Sequence, residues 1–199
     1  MKNIVATEAT DQDLTLPDTR TRILRAAKYL FRKRGYHATG LNDILEIAKA
    51  PKGSMYHHFP NGKEQIGVAV IESITQDLID LFAQSRARSV QALIAQAGAQ
   101  LVAVAEKTNY EICAIFSTFV AERRTSPALG EAVEAAYAQM VDNLTQRLMA
   151  EGLPKRAAEE KAHVVAALLE GGSLLAQALQ SPMPFNAAVK QASLLCAKA

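Results

Sequence analysis

The chain has 199 residues, 49% of them hydrophobic, and a formal net charge of +2, so it can bury a core that needs no disulfides. The two cysteines, Cys113 and Cys196, match no metal-ligand spacing, and we expect reduced thiols in a cytoplasm. The first residues lack the apolar segment of a signal peptide, and no uninterrupted apolar run reaches the roughly 18 to 20 residues of a membrane span.

The N-terminal third is predicted to begin with a mobile arm and a basic helix. Residues 1–16 are polar, acidic and aperiodic. Apolar residues then recur at helical spacing, which predicts a helix that starts near Pro17 and ends at Gly35. Its other face is basic and holds Arg20, Arg22, Arg25, Lys28 and Arg32.

Charge is distributed unevenly along the chain. Residues 1–63 contain 11 Lys and Arg against 6 Asp and Glu, a net +5, whereas the remaining residues contain 11 against 14, a net −3. This asymmetry suits a nucleic-acid-binding head on a neutral body, because phosphate contacts supply much of the affinity for DNA. Without a motif, charged residues that simply cover solvated helix faces are the commoner cause of such asymmetry.

Two short helices follow within the twenty residues of GLNDILEIAKAPKGSMYHHF. Thr39 is predicted to cap the first of them. Pro51 is tolerated in the first turn of the second, where Met55 and Phe59, four residues apart, form one apolar face. Asn61 then begins a long fourth helix.

Five further helices are predicted beyond these four, because helical periodicity continues and no strand pattern competes with it. Their expected ranges are about 89–106, 110–123, 127–151, 155–180 and 185–198. The predicted fold class is therefore all-α, with about nine helices.

The segment from Thr19 to Ile66 resembles the N-terminal helix-turn-helix domain of the TetR family of bacterial transcription regulators. The similarity includes an R-x-x-I-L-x-A-A start at Arg20, a K-G-S-M-Y-x-x-F run at Lys52 and further matches at Phe31, Gly35, Tyr36, Ala38, Thr39, Ile44, Lys63 and Glu64. The wording APKGSMYHHFPNGKEQI is similar to the LmrA/YxaF branch. Three positions depart from the family: Lys49 replaces a usual Gly, Pro51 a frequent Ser or Thr, and Gly40 a common Thr or Ser.

The resemblance implies a division into a mobile arm (1–16), a helix-turn-helix DNA-binding domain (17–63) and an effector-binding and dimerisation domain (64–199). It implies that Lys52 and His57 reach base edges or nearby phosphates, that Gly53 and Ser54 let the backbone approach the groove, and that the Tyr56 hydroxyl donates to a phosphate. Further phosphate contacts are implied for Thr39, the Gly40 amide and Lys63.

No metal or cofactor is expected. His57 and His58 are adjacent, but neighbouring side chains point in different directions on a helix, and no carboxylate or Cys partner is in register. His58, which precedes Phe59, is interpreted as a structural or rim residue, and His37 as a loop residue.

The C-terminal half carries a candidate dimer seam and a candidate effector pocket. Apolar residues with 3-4-3-4 spacing, extended by the last helix, form the seam: Val165, Leu168, Gly172, Leu175, Leu179 and Leu194. The resemblance implies a four-helix bundle between two copies, whereas the pattern alone fits an intramolecular core equally well. The candidate pocket residues are Tyr110, Cys113, Phe116, Phe119, Tyr137, Met140 and His163. An aromatic and Met stripe at helical spacing is more often simple core, and a polar residue such as His163 more often lies at a surface or interface.

These features together predict a cytoplasmic, homodimeric, sequence-specific DNA-binding regulator. The resemblance implies repression that is relieved when a small amphipathic or aromatic ligand releases the protein from a palindromic operator. A DNA-binding adaptor controlled by a protein partner is the alternative, and its helical body would be filled by side chains. An enzyme is not expected, because no Ser-His-acid order, Cys-His pair, paired catalytic carboxylates or Gly-rich phosphate loop is present.

Overall fold

The computed structural model describes residues 18–107 and 115–197, and every regular element within these ranges is helical. A 3-10 turn, Ala121–Arg124, follows the sixth helix. The α-helices are α1 Thr19–Arg34, α2 Leu41–Ile47, α3 Lys52–His58, α4 Gly62–Gln84, α5 Val90–Lys107, α6 Ile115–Val120, α7 Pro127–Ala150, α8 Lys155–Leu179 and α9 Met183–Leu195. The predicted all-α class is confirmed.

The described residues form two compact units. The first unit contains 18–74 and Ile115–Glu134, and the second contains the described residues of Thr75–Ala114 and Ala135–Ala199. Helices α4 and α7 each contribute residues to both units. The first unit is larger than the predicted helix-turn-helix segment, because α6 and the turn after it pack with α1.

Three aromatic rings form the centre of that packing. Phe31 of α1 is fully buried, and its ring lies 5.6 Å from that of Phe119 and 5.3 Å from that of Tyr36. The ring centres of Tyr36 and Phe119 are also 5.6 Å apart. Phe119 was expected near an effector pocket, and the structure instead places it in the first unit's core, because this cluster completes the burial of α1.

The second unit is built around close contacts of α9 with α5 and α8. A methyl group on Gly172 would lie 2.4 Å from the Cβ of Ala188, and one on Gly98 would lie 2.3 Å from a methyl of Val189. Both glycines are therefore required by the approach of α9 rather than by backbone conformation. The core cluster there also contains Val165, which is 1% exposed.

Helix α8 is long and apolar enough to cross a membrane when judged by length and composition alone. The core helix of a soluble protein passes the same test. In this structure α8 contains charged residues, among them Glu159, Glu160 and Glu170, and its buried side packs against α9.

We expect Gly172→Ala to destabilise the protein by about 1 to 3 kcal/mol, since the new methyl overlaps Ala188 and α8 and α9 must move apart. Thermal unfolding of the matched pair Gly172→Ala and Gly171→Ala measures this effect. A methyl at Gly171 meets nothing within 4 Å, and should be neutral or stabilise by about 0.5 to 1 kcal/mol. Equal melting temperatures for Gly172→Ala and the unmodified protein would contradict the packing argument.

Candidate nucleic-acid interface and ligand cavity

Helix α3 has one fully anchored face and one open face. Met55 and Phe59 are 0% and 1% exposed, and the Arg20 guanidinium lies over the Phe59 ring at 5.4 Å. Because α3 has only seven residues, these two anchors determine which side points outward. The open side brings together four of the predicted DNA-reading residues, Lys52, Gly53, Tyr56 and His57, whereas Ser54 is half-buried.

The turn that leads into α3 uses a left-handed residue. Lys49 has φ 48°, the conformation for which the resembling family usually supplies glycine. Backbone hydrogen bonds from Lys49 N–H to Glu46 O and from Ala50 N–H to Leu45 O, 3.1 and 3.0 Å, hold the turn. Pro51 is the N-cap of α3 rather than a first-turn residue, since the helix begins at Lys52.

Thr39 and Gly40 have internal partners. The Thr39 hydroxyl donates to Gly35 O at 2.8 Å, and Thr39 is 1% exposed. The N-cap of α2 is Gly40, whose N–H donates to Asp43 Oδ2 at 3.2 Å. The predicted capping role of Thr39 is wrong, because its hydroxyl satisfies a carbonyl at the end of α1 that has no intrahelical donor.

Lys63, at the start of α4, also lies against the protein. Its Nζ is 4.3 Å from the centre of the Tyr36 ring and donates to His37 O at 3.4 Å. Burial lowers the pKa of the Lys63 ammonium. Burial, with the nearby charges of Glu64 and Glu122, raises the pKa of Tyr36 to about 12.

A buried carboxylate joins the loop after α1 to the turn after α6. Glu122 is 2% exposed, and its Oε2 lies 2.8 Å from Nε2 of His37 and accepts from the Thr125 hydroxyl at 3.2 Å. The Ser126 hydroxyl donates to Glu64 at the start of α4. Sequence reasoning missed Glu122 and Ser126, because their partners are distant in the chain and no local pattern marks them.

The second unit contains a solvent-open cavity of about 610 Å³ between α7 and α8, and Ala138, Asp142, His163 and Ala167 on its wall are exposed. The predicted pocket residues Tyr137 and His163 lie on its wall, and Met140 is not among the described lining residues. Tyr110 and Cys113 lie outside the described residues, as does the side chain of Phe116. The cavity wall consists of Tyr137, Ala138, Val141, Asp142, Thr145, Glu159, His163, Ala166, Ala167 and Glu170.

Polar groups on this wall are unevenly satisfied. The Tyr137 hydroxyl donates to Glu170, and burial raises the pKa of that carboxyl above its ordinary value. His163 Nδ1 donates to Glu159 O at 2.8 Å. Thr145 is 3% exposed, and its hydroxyl has no hydrogen-bond partner. Within the described residues, no group of three or more His, Cys, Asp or Glu could hold a metal ion.

The predicted dimer seam is divided by the structure. Val165 and Gly172 face the core, where Gly172 contacts α9, and Leu168 is half-buried. The outer part of α8 and α9 is an exposed apolar face: Val164 48%, Leu174 51%, Leu175 53%, Leu179 63%, Met183 71%, Leu194 52% and Leu195 42%. We call these residues the α8/α9 face.

We expect Glu170→Gln to stabilise the protein at neutral pH by about 0.5 to 2 kcal/mol. The raised pKa means that the folded protein binds this proton more tightly than the unfolded chain, so stability is lost as pH rises through the folded pKa. Glutamine avoids that loss and can still accept from Tyr137. Thermal unfolding at several pH values should show a gain at pH 7 to 8 that disappears near pH 4, and a pH-independent difference would contradict the assignment.

The sequence matches two family descriptions that together span both units. Residues 23–70 match "Bacterial regulatory proteins, tetR family", and residues 87–191 match "Transcriptional regulator LmrA/YxaF-like, C-terminal domain". The HTH-type transcriptional regulator LmrA of Bacillus subtilis strain 168 is 33% identical over 174 residues, covering 84% of this chain and 90% of that protein. YxaF of the same strain, another HTH-type regulator, is 28% identical over 191 residues, covering 91% and 96%.

Solved structures show the same fold. A TetR transcriptional regulator from Legionella pneumophila superposes with a TM-score of 0.81 at 21% identity, covering 92% of this chain and all of that one. The reduced form of Escherichia coli NemR gives 0.74 at 25% identity, covering 91% and 98%. The relatives named above are transcriptional regulators, and both family descriptions are of transcriptional regulators. These matches confirm the expectation that the chain is not an enzyme. The chain belongs to the TetR family of bacterial transcriptional regulators, and its C-terminal domain is of the LmrA/YxaF-like type.

Proposed function

We propose that this cytoplasmic regulator represses transcription by binding a palindromic operator as a homodimer, and that a small molecule in its second unit releases it. The observation that carries the DNA-binding half is the open face of α3, where Lys52, Gly53, Tyr56 and His57 are displayed by two buried anchors. The name of one relative, the HTH-type transcriptional repressor NemR, supports repression. That match covers 55 residues at 44% identity, 28% of this chain and 27% of NemR.

The residues of α3 differ in how far their side chains can reach toward a DNA groove. Lys52 and His57 are long enough to meet base edges or phosphates in a major groove, and Gly53 and Ser54 leave room for the backbone. The Tyr56 side chain is 45% exposed and can donate its hydroxyl to a phosphate. These residues combine sequence readout with positioning on the duplex.

The remaining phosphate candidates act differently. Thr39 holds the loop between α1 and α2 through its bond to Gly35, so its contribution is to position α2 rather than to touch DNA. The Gly40 amide and the Lys63 ammonium would have to exchange their partners, Asp43 and the Tyr36 ring, for a phosphate. Such exchange is favourable only if the phosphate contact outweighs the internal one.

Dimer formation is supported by the α8/α9 face. Large exposed side chains that cluster on neighbouring helices mark interaction sites. A two-fold axis through this face would pair α8 and α9 with their copies as a four-helix bundle. The dimer would also present two copies of α3, one for each half-site of an operator whose half-sites lie about 34 to 36 Å apart.

Ligand control is favoured over a protein-controlled adaptor by the cavity. The solvent-open cavity of about 610 Å³ between α7 and α8 is within the approximate 300 to 1,000 Å³ of small-molecule sites, and this volume supports a ligand site. Helices α4 and α7 each contribute residues to both units, and they are two of the chain connections through which the second unit can act on the first. The ligand must bind one form more tightly, typically by about 1 to 3 kcal/mol.

Fluorescence anisotropy against tiled fragments of DNA flanking the protein's own gene tests operator binding. We expect one fragment to bind tightly at several salt concentrations. Lys52→Ala should reduce the difference in binding free energy between that fragment and the others by about 1 to 3 kcal/mol. Tyr56→Phe should weaken binding to all fragments alike, by about 1 kcal/mol. Uniform weak binding that vanishes with moderate salt would contradict sequence-specific recognition.

The matched variant for this experiment is Gly53→Ala. A methyl on Gly53 meets no protein atom within 4 Å, so the variant should fold and gain about 0.5 kcal/mol of helix stability. Operator affinity should nevertheless fall, because the methyl occupies space that the groove needs. Unchanged operator affinity would show that the backbone of α3 does not approach DNA here.

Leu175→Glu should raise the dimer dissociation constant at least about tenfold, since it places a charge in the apolar interface. Analytical ultracentrifugation over a concentration series measures this. Val120→Glu is the control, because Val120 is equally exposed at 52% but lies on α6 in the first unit. A monomer at all concentrations, or equal effects of both variants, would contradict the assigned interface.

A further inference from the structure

The turn after α6 contains one buried charge in an otherwise exposed segment. Within Ala121–Arg124 and at the following Thr125, every residue except Glu122 is exposed, whereas Glu122 is 2% exposed. A carboxylate on such a turn could remain in water, and its burial is unfavourable unless donors compensate for it. The contacts of the Glu122 carboxylate therefore indicate what its burial achieves.

This carboxylate acts on two neighbouring segments of the first unit. Its Oε2 lies 2.8 Å from Nε2 of His37, in the loop between α1 and α2, and accepts from the Thr125 hydroxyl at 3.2 Å. Burial lowers the pKa of the Lys63 ammonium, and the negative charge of Glu122 opposes that shift. Lys63 also donates to the backbone carbonyl of His37 at 3.4 Å. Glu122 thus acts on the α1–α2 loop directly and on the start of α4 through its charge.

The same turn is bonded to α4 a second time. The Ser126 hydroxyl donates to Glu64 and accepts from Leu129 N–H at 3.2 Å, so it links the first turn of α4 to the first turn of α7. Glu64 directly follows Lys63 in the chain. Side chains of 122–126 therefore contact both segments for which the family resemblance implies phosphate contacts, the α1–α2 loop and the start of α4.

The charge of Glu122 is unfavourable for DNA binding in itself. A carboxylate in the unit that contains α3 reduces the attraction of that unit to phosphates. A loop that is already ordered, however, loses less conformational freedom when it binds. The contact of Glu122 with His37 provides such order before DNA is bound.

We propose that Glu122 is a positioning residue for DNA binding. Its carboxylate holds His37, and through it keeps the Gly40 amide and the Lys63 ammonium in fixed places relative to α3, where both can meet phosphates. Phosphate contacts carry no sequence information, so Glu122 affects the affinity for every duplex and leaves base preference unchanged. The inference rests on the proposed function in that α3 must face DNA.

Glu122→Gln and Glu134→Gln are the matched pair of variants. Each removes one negative charge and one ion pair from the first unit, since the Glu134 carboxylate lies 2.9 Å from the exposed Arg123. Their affinities for a labelled duplex of random sequence are measured by fluorescence anisotropy. Glu122→Gln should bind at least about fivefold more weakly than the unmodified protein, because a neutral amide holds His37 less strongly than a carboxylate.

General electrostatics predicts the opposite sign for this substitution. Removal of a negative charge should strengthen binding to DNA, and Glu134→Gln should bind as tightly as the unmodified protein or more tightly. Equal or tighter binding by Glu122→Gln would therefore overturn the inference.

Salt dependence separates positioning from a loss of stability. If each copy in the dimer loses about one phosphate contact, the slope of log affinity against log salt concentration should decrease in magnitude by about 2. A variant that is only less folded has less active protein and keeps the slope. Weaker binding of Glu122→Gln with an unchanged slope would overturn the inference.

His37→Ala removes the same contact from its exposed side. The His37 side chain is 75% exposed, so its truncation leaves no cavity. This variant should reproduce the loss of affinity, and the double variant with Glu122→Gln should lose no more than either single variant, because both act through one contact. Additive losses would overturn the inference, since the two residues would then act independently.

The tiled fragments of flanking DNA keep this inference apart from the proposed function. Glu122→Gln should weaken binding to all fragments alike and retain the preference that Lys52→Ala reduces. Loss of that preference in Glu122→Gln would overturn the inference. Equal binding of all fragments by the unmodified protein would contradict the proposed function, and the random duplex would still decide whether Glu122 positions the phosphate contacts.

Discussion

The open face of α3 depends on the burial of two side chains, Met55 and Phe59. An isolated helix of seven residues is unstable in water, because nucleation costs more than so few hydrogen bonds return. Burial of both side chains therefore has two roles: it stabilises the helix, and it determines the orientation of the helix. Because they lie four residues apart, they leave one uninterrupted side for Lys52, Gly53, Tyr56 and His57.

The support for α3 extends beyond the helix-turn-helix segment. The rings of Phe31, Tyr36 and Phe119 connect α1 with α6, and the buried carboxylate of Glu122 holds the loop that contains His37. A buried charge is tolerated only where donors surround it, so this loop has little freedom to move independently of the turn after α6. The helix-turn-helix segment is thus packed as one unit with 115–134.

In the second unit, packing is tight on one side of α8 and incomplete on two others. Gly172 and Gly98 let α9 approach α8 and α5 to van der Waals contact, and these contacts add to the stability of the unit. The α8/α9 face remains apolar and exposed, and the cavity wall includes Thr145, whose buried hydroxyl has no hydrogen-bond partner. Such departures from good packing are expected where a protein binds something, and here they occur at two separate places, the α8/α9 face and the cavity between α7 and α8.

The sequence by itself determined the fold class, the order of the helices and which side of α3 is buried, because helical periodicity and the K-G-S-M-Y-x-x-F spacing are local. It also determined the family, since the similarity extends over about fifty consecutive residues. Only the tertiary structure decided the partners of Thr39, Lys63 and Glu122, the burial of Phe119 in the first unit, and the division of the α8 seam between core and exposed face. Those outcomes depend on which helices meet at a distance in sequence, and a 3-4-3-4 apolar pattern is the same whether the helix that fills it belongs to the same chain or to another.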